Sequence, residues 1–283
     1  MLLCFKPAIV IPINYRMVCM NFKEMRTLGR TGLQASRLGL AGGYGVPAAS
    51  VERSFHEFGI NYFYWSTPRK PGMREGLRSL AKDSRDKIIV ALQSYDHLGL
   101  TVKRSVEKGL KALNFDFADV VLLGWQNKFP SQRVIDEALG LKKSGLVRFI
   151  AMSGHNRKTF GEIARMTVSP IDIFMVRYNA AHRGAEEEVF PHLADGGARP
   201  GITTYTATRW GRLLNPKKMP HGERPLTASD CYRFVLSNPN VDVCMMGPAN
   251  AREFEEGIIA LGKGPLSSEE MERVRKIGSH VHG

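Results

Sequence analysis

The chain has 283 residues, 43% of them apolar and 24% charged, with 28 Gly and 15 Pro, a composition that excludes a disordered, collagenous or coiled-coil protein. A balance of 40 Lys and Arg against 27 Asp and Glu leaves a formal net charge of +13, which favours anionic partners. The basic residues are scattered rather than interleaved with aromatics along a helix, so nucleic acid is not an expected partner.

From the N-terminus, the apolar run at 8–13 is interrupted by Pro12 and is too short to span a bilayer, so no membrane partner is expected. Residues 1–24 read as an appendage upstream of a natural start at Met20 or Met25, a weak signal peptide being the alternative. The four cysteines, Cys4, Cys19, Cys231 and Cys244, form no C-x-x-C and no metal-type spacing with histidine; this fits a reduced, cytoplasmic protein without a metal.

A hairpin is expected around Gly29 and Gly32. Beyond it, β-rich runs at 37–41, 61–64, 88–92, 119–123, 147–152, 171–176, 201–205 and 241–246 alternate with helical patterns. The helices are expected at 48–58, 74–82, 102–113, 132–144, 158–166, 186–194, 228–237 and 251–261, with a final amphipathic helix at 267–277. Gly59 and Gly145 stand where left-handed glycines end helices, and Thr227 and Asn250 are candidate N-caps.

Alternation of this kind points to parallel strands joined by crossover helices, and no linker divides the chain. The expected architecture is a single (β/α)8 TIM barrel over 25–283, with an N-terminal β-hairpin and a C-terminal helix. In such a barrel the chemistry lies at the C-terminal ends of the strands. That places 42–44, 62–69, 93–95, 124–127, 153–156, 177–179, 205–212 and 247–252 at the mouth.

Read in order, several runs resemble the aldo-keto reductase family. They are MRTLGRTGL at 25–33, SRLGL at 36–40, GINYF at 59–63, LKAL at 110–113 leading to DVVLL at 119–123, KSGLVR at 143–148, YN at 178–179, EEE at 186–188, and Gly247 with 250–256. The resemblance implies a (β/α)8 barrel that transfers hydride between NADP or NAD and a small carbonyl substrate. It also marks departures: the family's catalytic Asp, Tyr, Lys and His fall at Tyr64, Arg69, Gln93 and Gly124.

For the cofactor, the resemblance assigns Ser153 to the nicotinamide amide, Tyr205 to the stacking aromatic, and Thr206 to the pyrophosphate. Gly247, Asn250 and Glu256 match at the adenosine end, whereas Gly154 and Met175 replace the family's Asn and Gln. Glu253 would repel a 2′-phosphate, which favours NADH unless Arg252 compensates with a bidentate contact.

Alternation points Tyr62 and Tyr64 to one side of their strand, so both phenols are candidates for the mouth. Tyr64 is the candidate acid and Arg69 the cation that would stabilise its phenolate; core packing and a solvated loop are the plainer roles. His155 offers a group that titrates near neutral pH or a surface histidine. Trp125 and Gln126, with Gln93, are candidates to line a substrate pocket or to pack and cap the loop after 119–123.

Two functions follow. One is an NAD(P)-dependent oxidoreductase with rearranged catalytic groups; the other is an inactive barrel that binds a nucleotide or other anionic ligand and acts through a partner.

Overall fold

A computed structural model describes residues 20–99, 101–194 and 196–282. Two short strands, β1 (Arg26–Thr27) and β2 (Gln34–Ala35), pair antiparallel. Eight parallel strands follow: β3 (Leu38–Ala41), β4 (Tyr62–Trp65), β5 (Ile89–Ser94), β6 (Ala118–Leu123), β7 (Val147–Gly154), β8 (Ile173–Arg177), β9 (Gly201–Tyr205) and β10 (Val243–Met246). They close in sequence order, with β10 pairing back onto β3, so the chain is one (β/α)8 barrel.

Strand alternation sorts the residues into two layers. Tyr62, Ala91, Val120, Leu122, Ala151, Ile173, Met175, Val243 and Met245 fill the interior. Phe63, Trp65, Val90, Leu92, Val121, Leu123, Ile150, Phe174 and Ile202 face the surrounding helices. Complete burial of one such side chain contributes about 1.5–3 kcal/mol.

The hairpin plugs the barrel's N-terminal end. Leu28 and Ala35 join the interior cluster, and Arg30 donates its backbone N–H to the Arg199 carbonyl at 2.8 Å. Gly29 (φ +46) passes so close to the Pro200–Gly201 backbone that no side chain fits there.

A repeated device secures this floor. Asn61, Asp119, Asp172 and Asp242 stand at or just before the starts of alternate strands, and each accepts a backbone N–H from the preceding strand's region: Ser36 (2.9 Å), Val90 (2.9 Å), Ile150 (3.0 Å) and Ile202 (2.8 Å). The three aspartates are also paired with cations. Asp119 meets Arg85 and Arg148, Asp172 meets Arg30 and Lys142, and Asp242 meets Arg26 and Arg199.

The helices are α1 (Ala48–His56), α2 (Pro71–Ser84), α3 (Val102–Leu113), α4 (Gln132–Lys143), α5 (Arg157–Ala164), α6 (Ala185–Glu188), α7 (Ala228–Leu236), α8 (Ala251–Lys263) and α9 (Ser268–His282). Thr227 and Asp230 form a reciprocal capping box on α7, and Ser267 and Glu270 do the same on α9. Gly59 (φ +67) and Gly145 (φ +77) take the left-handed conformation expected of them. The helix expected at 186–194 is shorter: α6 stops at Glu188 and a 3-10 turn, Phe190–His192, follows, because Pro191 supplies no N–H for a longer helix.

Of the segment expected to be an appendage, residues 1–19 lie outside the described residues. Phe22 is buried in the outer core, with the Arg37 guanidinium 5.4 Å from its ring centroid. No described helix is long and apolar enough to cross a membrane.

Candidate active site

The C-terminal ends of the strands bring most of the candidate residues together. Tyr64 faces inward from β4 and packs against the interior cluster, and its hydroxyl donates to Gln93 Oε1 on neighbouring β5. Burial, with the nearby Tyr95 phenol, raises its pKa well above the usual phenol value. Besides Gln93, Tyr95, Ser66 and Tyr44 act on this phenol, and none of these four is a cation. Tyr64 therefore stays protonated at neutral pH.

Arg69 lies five residues further on, in the segment that leads into α2. It is exposed, and its backbone N–H donates to Thr67 Oγ1 at 3.2 Å. Among the described residues no ion pair or hydrogen bond engages its guanidinium, so the expected pairing with Tyr64 is not formed here. Tyr62 lies deeper, 4% exposed, and its pKa is raised by burial and by Asp119 at the floor.

The loop after β6 is reshaped as a unit. Trp125 takes φ +56, a conformation that a non-glycine residue rarely adopts. The next residue, Gln126, donates its N–H to the Ser153 carbonyl at 2.7 Å and is itself buried. Its carbonyl lies over Gly154, where any Cβ would overlap it. At the loop's start, a Cβ on Gly124 would overlap Gln93 Nε2 and lie 2.9 Å from Tyr95 Cδ1.

Three of the departures noted in the sequence are thus one geometric arrangement. Gln93 and Tyr95 occupy the space of a side chain at 124, and the Gln126 backbone occupies that of a side chain at 154. Asn127 caps the next element, accepting the N–H groups of His155 (2.7 Å) and Asn156 (3.3 Å) on its Oδ1. His97, Trp125, Asn127 and His155 line an open depression of about 380 Å³. Trp125 is exposed and packs on Tyr95, with ring centroids 5.0 Å apart.

Ser153 is 8% exposed, and among the described residues its hydroxyl makes no hydrogen bond. Tyr205 ends β9 and donates to the Gly154 carbonyl at 3.2 Å; burial lifts its pKa to about 12 against the pull of Arg177 and Arg157. The His155 ring lies 22° from parallel to it, with centroids 6.4 Å apart. Burial, and then Arg177, lowers the pKa of His155, so the imidazole is held neutral at physiological pH. Thr206 has φ +60, a strained conformation for a β-branched residue. Its carbonyl is held by Asn179 Nδ2 at 2.8 Å, and its hydroxyl donates to the Tyr205 carbonyl at 2.7 Å.

At the end of β10, the Tyr44 ring covers Gly247, where a Cβ would lie 2.8 Å from it. Asn250 caps α8 by accepting the Glu253 N–H at 3.0 Å, and Glu253 accepts the Ala249 N–H at 2.8 Å. Arg252 is exposed and pairs with Glu256 at 2.9 Å along the helix.

The aldo/keto reductase family pattern matches residues 63–227. The chain belongs to this family. Its fold is similar to that of aldo-keto reductase AKR11C1 from Bacillus halodurans in the holo form, with a TM-score of 0.71 and 19% identity over 90% of this chain and 96% of that one. It is also similar to PA4992 from Pseudomonas aeruginosa, with a TM-score of 0.66 and 21% identity over 88% of this chain and 98% of that one. No curated relative matches the chain.

Within the aldo/keto reductase barrel, a nicotinamide would meet Tyr205, whose hydroxyl donates to the carbonyl of Gly154, and the neighbouring Ser153. The adenosine end is a poorer match for a 2′-phosphate, because the Glu253 carboxylate already occupies an N–H at the start of α8. Among the described residues no group of His, Cys, Asp and Glu is arranged to hold a metal ion. The sequence places Arg177, Tyr44 and Tyr95 at the mouth without assigning them a role. Arg177 shares the inward face of Met175 by strand alternation, which is the signal that would have found it.

Proposed function

We propose that this aldo/keto reductase is an NAD-preferring oxidoreductase of small carbonyl compounds in which a neutral phenol, Tyr64, replaces a cation-activated acid. The observation that carries the reading is the inward-facing Tyr64 hydroxyl, packed against the same interior cluster as the Tyr205 ring. Ser153 and Tyr205 would hold the nicotinamide and Thr206 the pyrophosphate. Gly247, Asn250, Arg252 and Glu256 would flank the adenosine, with Glu253 disfavouring NADPH. A bound nicotinamide supplies the hydride.

The remaining work falls to the chain's own side chains. Tyr64 gives its proton to the carbonyl oxygen, exchanging its bond to Gln93 for one to the developing alkoxide. Without a cation, the acid assistance is weaker than the usual 10²–10⁴-fold, by order of magnitude. Trp125, Gln126 and His155 border the substrate side. Cys231 and Cys244, both buried free thiols, are consistent with a cytoplasmic location.

A second reading is favoured by Gln93 and Tyr95 filling the space at Gly124: a barrel that binds a nucleotide or other anion without turnover and acts through a partner. A carbonyl panel assayed with NADH separates the two. In the first reading Tyr64→Phe lowers kcat by about tenfold to a hundredfold while NADH affinity is unchanged. Turnover that persists in Tyr64→Phe contradicts the assignment of the acid. NADH binding with no turnover on any carbonyl supports the second reading.

A further inference from the structure

Consecutive strands deliver a phenol each to one corner of the mouth: Tyr44 in the loop after β3, Tyr64 on β4 and Tyr95 just beyond β5. The Tyr64 hydroxyl donates to Gln93 Oε1. Its oxygen is then free to accept, and the hydroxyl side chains that hydrogen-bond with it are Tyr95 and Ser66. Gln93 and Tyr95 border the same point, since a Cβ on Gly124 would overlap Gln93 Nε2 and lie 2.9 Å from Tyr95 Cδ1. Tyr95 also reaches water: it is 48% exposed and packs on Trp125, itself 63% exposed.

The use of Tyr64 as the acid, on which this inference rests, leaves a question of resupply. Burial makes the Tyr64 phenolate costly, and no cation stands by to neutralise it, so the lost proton has to be replaced as it leaves. Gln93 offers only an amide oxygen, which accepts and does not give. Of the two neighbouring hydroxyls, a phenol releases its proton more readily than an alcohol. Tyr95 is therefore the side chain that joins Tyr64 to solvent.

We propose that Tyr95 is a proton relay: as Tyr64 passes its proton to the carbonyl oxygen, Tyr95 reprotonates Tyr64 and takes a proton from solvent in turn. The O–H bonds of Tyr64, Tyr95 and the solvent acid break, and O–H bonds form on the product, Tyr64 and Tyr95. Both phenols end as they began. The carbonyl carbon receives the hydride that reduced nicotinamide supplies, and one solvent proton ends on the product hydroxyl, so atoms and charge balance. Tyr95 acts only through Tyr64.

The test is single-turnover carbonyl reduction with bound NADH in the parent protein, Tyr95→Phe and Tyr64→Phe. Tyr95→Phe keeps the ring against Trp125 and removes one exposed hydroxyl. Its rate should fall about three- to tenfold with substrate and NADH affinities unchanged. Rates in mixtures of light and heavy water should follow a bowed line in the parent and a straight one in Tyr95→Phe, and added imidazole should restore Tyr95→Phe but not Tyr64→Phe. Without cofactor, the Cζ resonance of Tyr64 in carbon-13 tyrosine-labelled protein, identified by its loss in Tyr64→Phe, should shift in Tyr95→Phe. A full rate in Tyr95→Phe beside a slow Tyr64→Phe overturns the relay and leaves the acid assignment standing, and an unmoved Cζ resonance overturns the relay as well. A full rate in Tyr64→Phe, or no turnover in the parent, overturns the underlying reading and the relay together.

Discussion

Gly124 and Gly154 carry the family's most compact departure. Each lies against other groups: the Gln93 amide, which would have to move, and the Tyr95 ring at the first, and the fixed Gln126 carbonyl at the second. Gly124→His should therefore lower stability by about 1–3 kcal/mol in urea denaturation and add no carbonyl reduction. Unchanged stability with a gain in turnover would show that the space is open after all. Glu253→Gln keeps the helix cap, since an amide accepts the Ala249 N–H equally well. It removes the charge, so the ratio of NADPH to NADH affinity should rise about three- to tenfold in parallel titrations. Alternation made the inward placement of Tyr64 legible, as it did the same-side placement of Tyr62. The position of Arg69 was not legible, because it follows the turn into α2 rather than the pleat of β4. Nor was the link between 124 and 154, which depends on the left-handed backbone at Trp125.

The floor of the barrel is built from strand starts, and its four acceptors make a graded prediction. Asp119→Ala strands the Val90 N–H and two arginines, Arg85 and Arg148, and should cost about 3–5 kcal/mol. Asn61→Ala loses only neutral bonds, to Ser36 and Gln34, and should cost about 1–3 kcal/mol. Equal losses in chemical denaturation would contradict the charge-based part of this account. At the last helix, the Arg233 bond holds the Glu270 carboxyl down to about 2 against an ordinary 4.5. A depressed carboxyl pKa contributes stability in full above pH 4.5, and that contribution fades as pH falls toward 2. Glu270→Gln should flatten the acid side of a Tm-against-pH curve in that window. The elements themselves were legible from periodicity, caps and glycine punctuation. Helix α6 was not, because the apolar pattern runs on past Glu188 while Pro191 ends the hydrogen bonding.

For the whole molecule, closure of eight strands was legible because the β/α rhythm repeats without a linker, and the charge of +13 pointed to anions before any site was visible. Where those anions are met depends on long-range geometry. Arg177 ends β8 in register with Tyr205 on β9, a placement that only folding brings about. The proposed function requires this barrel to retain a working nicotinamide platform. Fluorescence titration with NADH and NADPH, in the parent protein and in Tyr205→Ala, tests it most directly. The account predicts saturable binding, tighter for NADH than for NADPH and weakened about tenfold or more when the ring is removed. Absence of saturable binding by either dinucleotide, or binding indifferent to Tyr205, would contradict it.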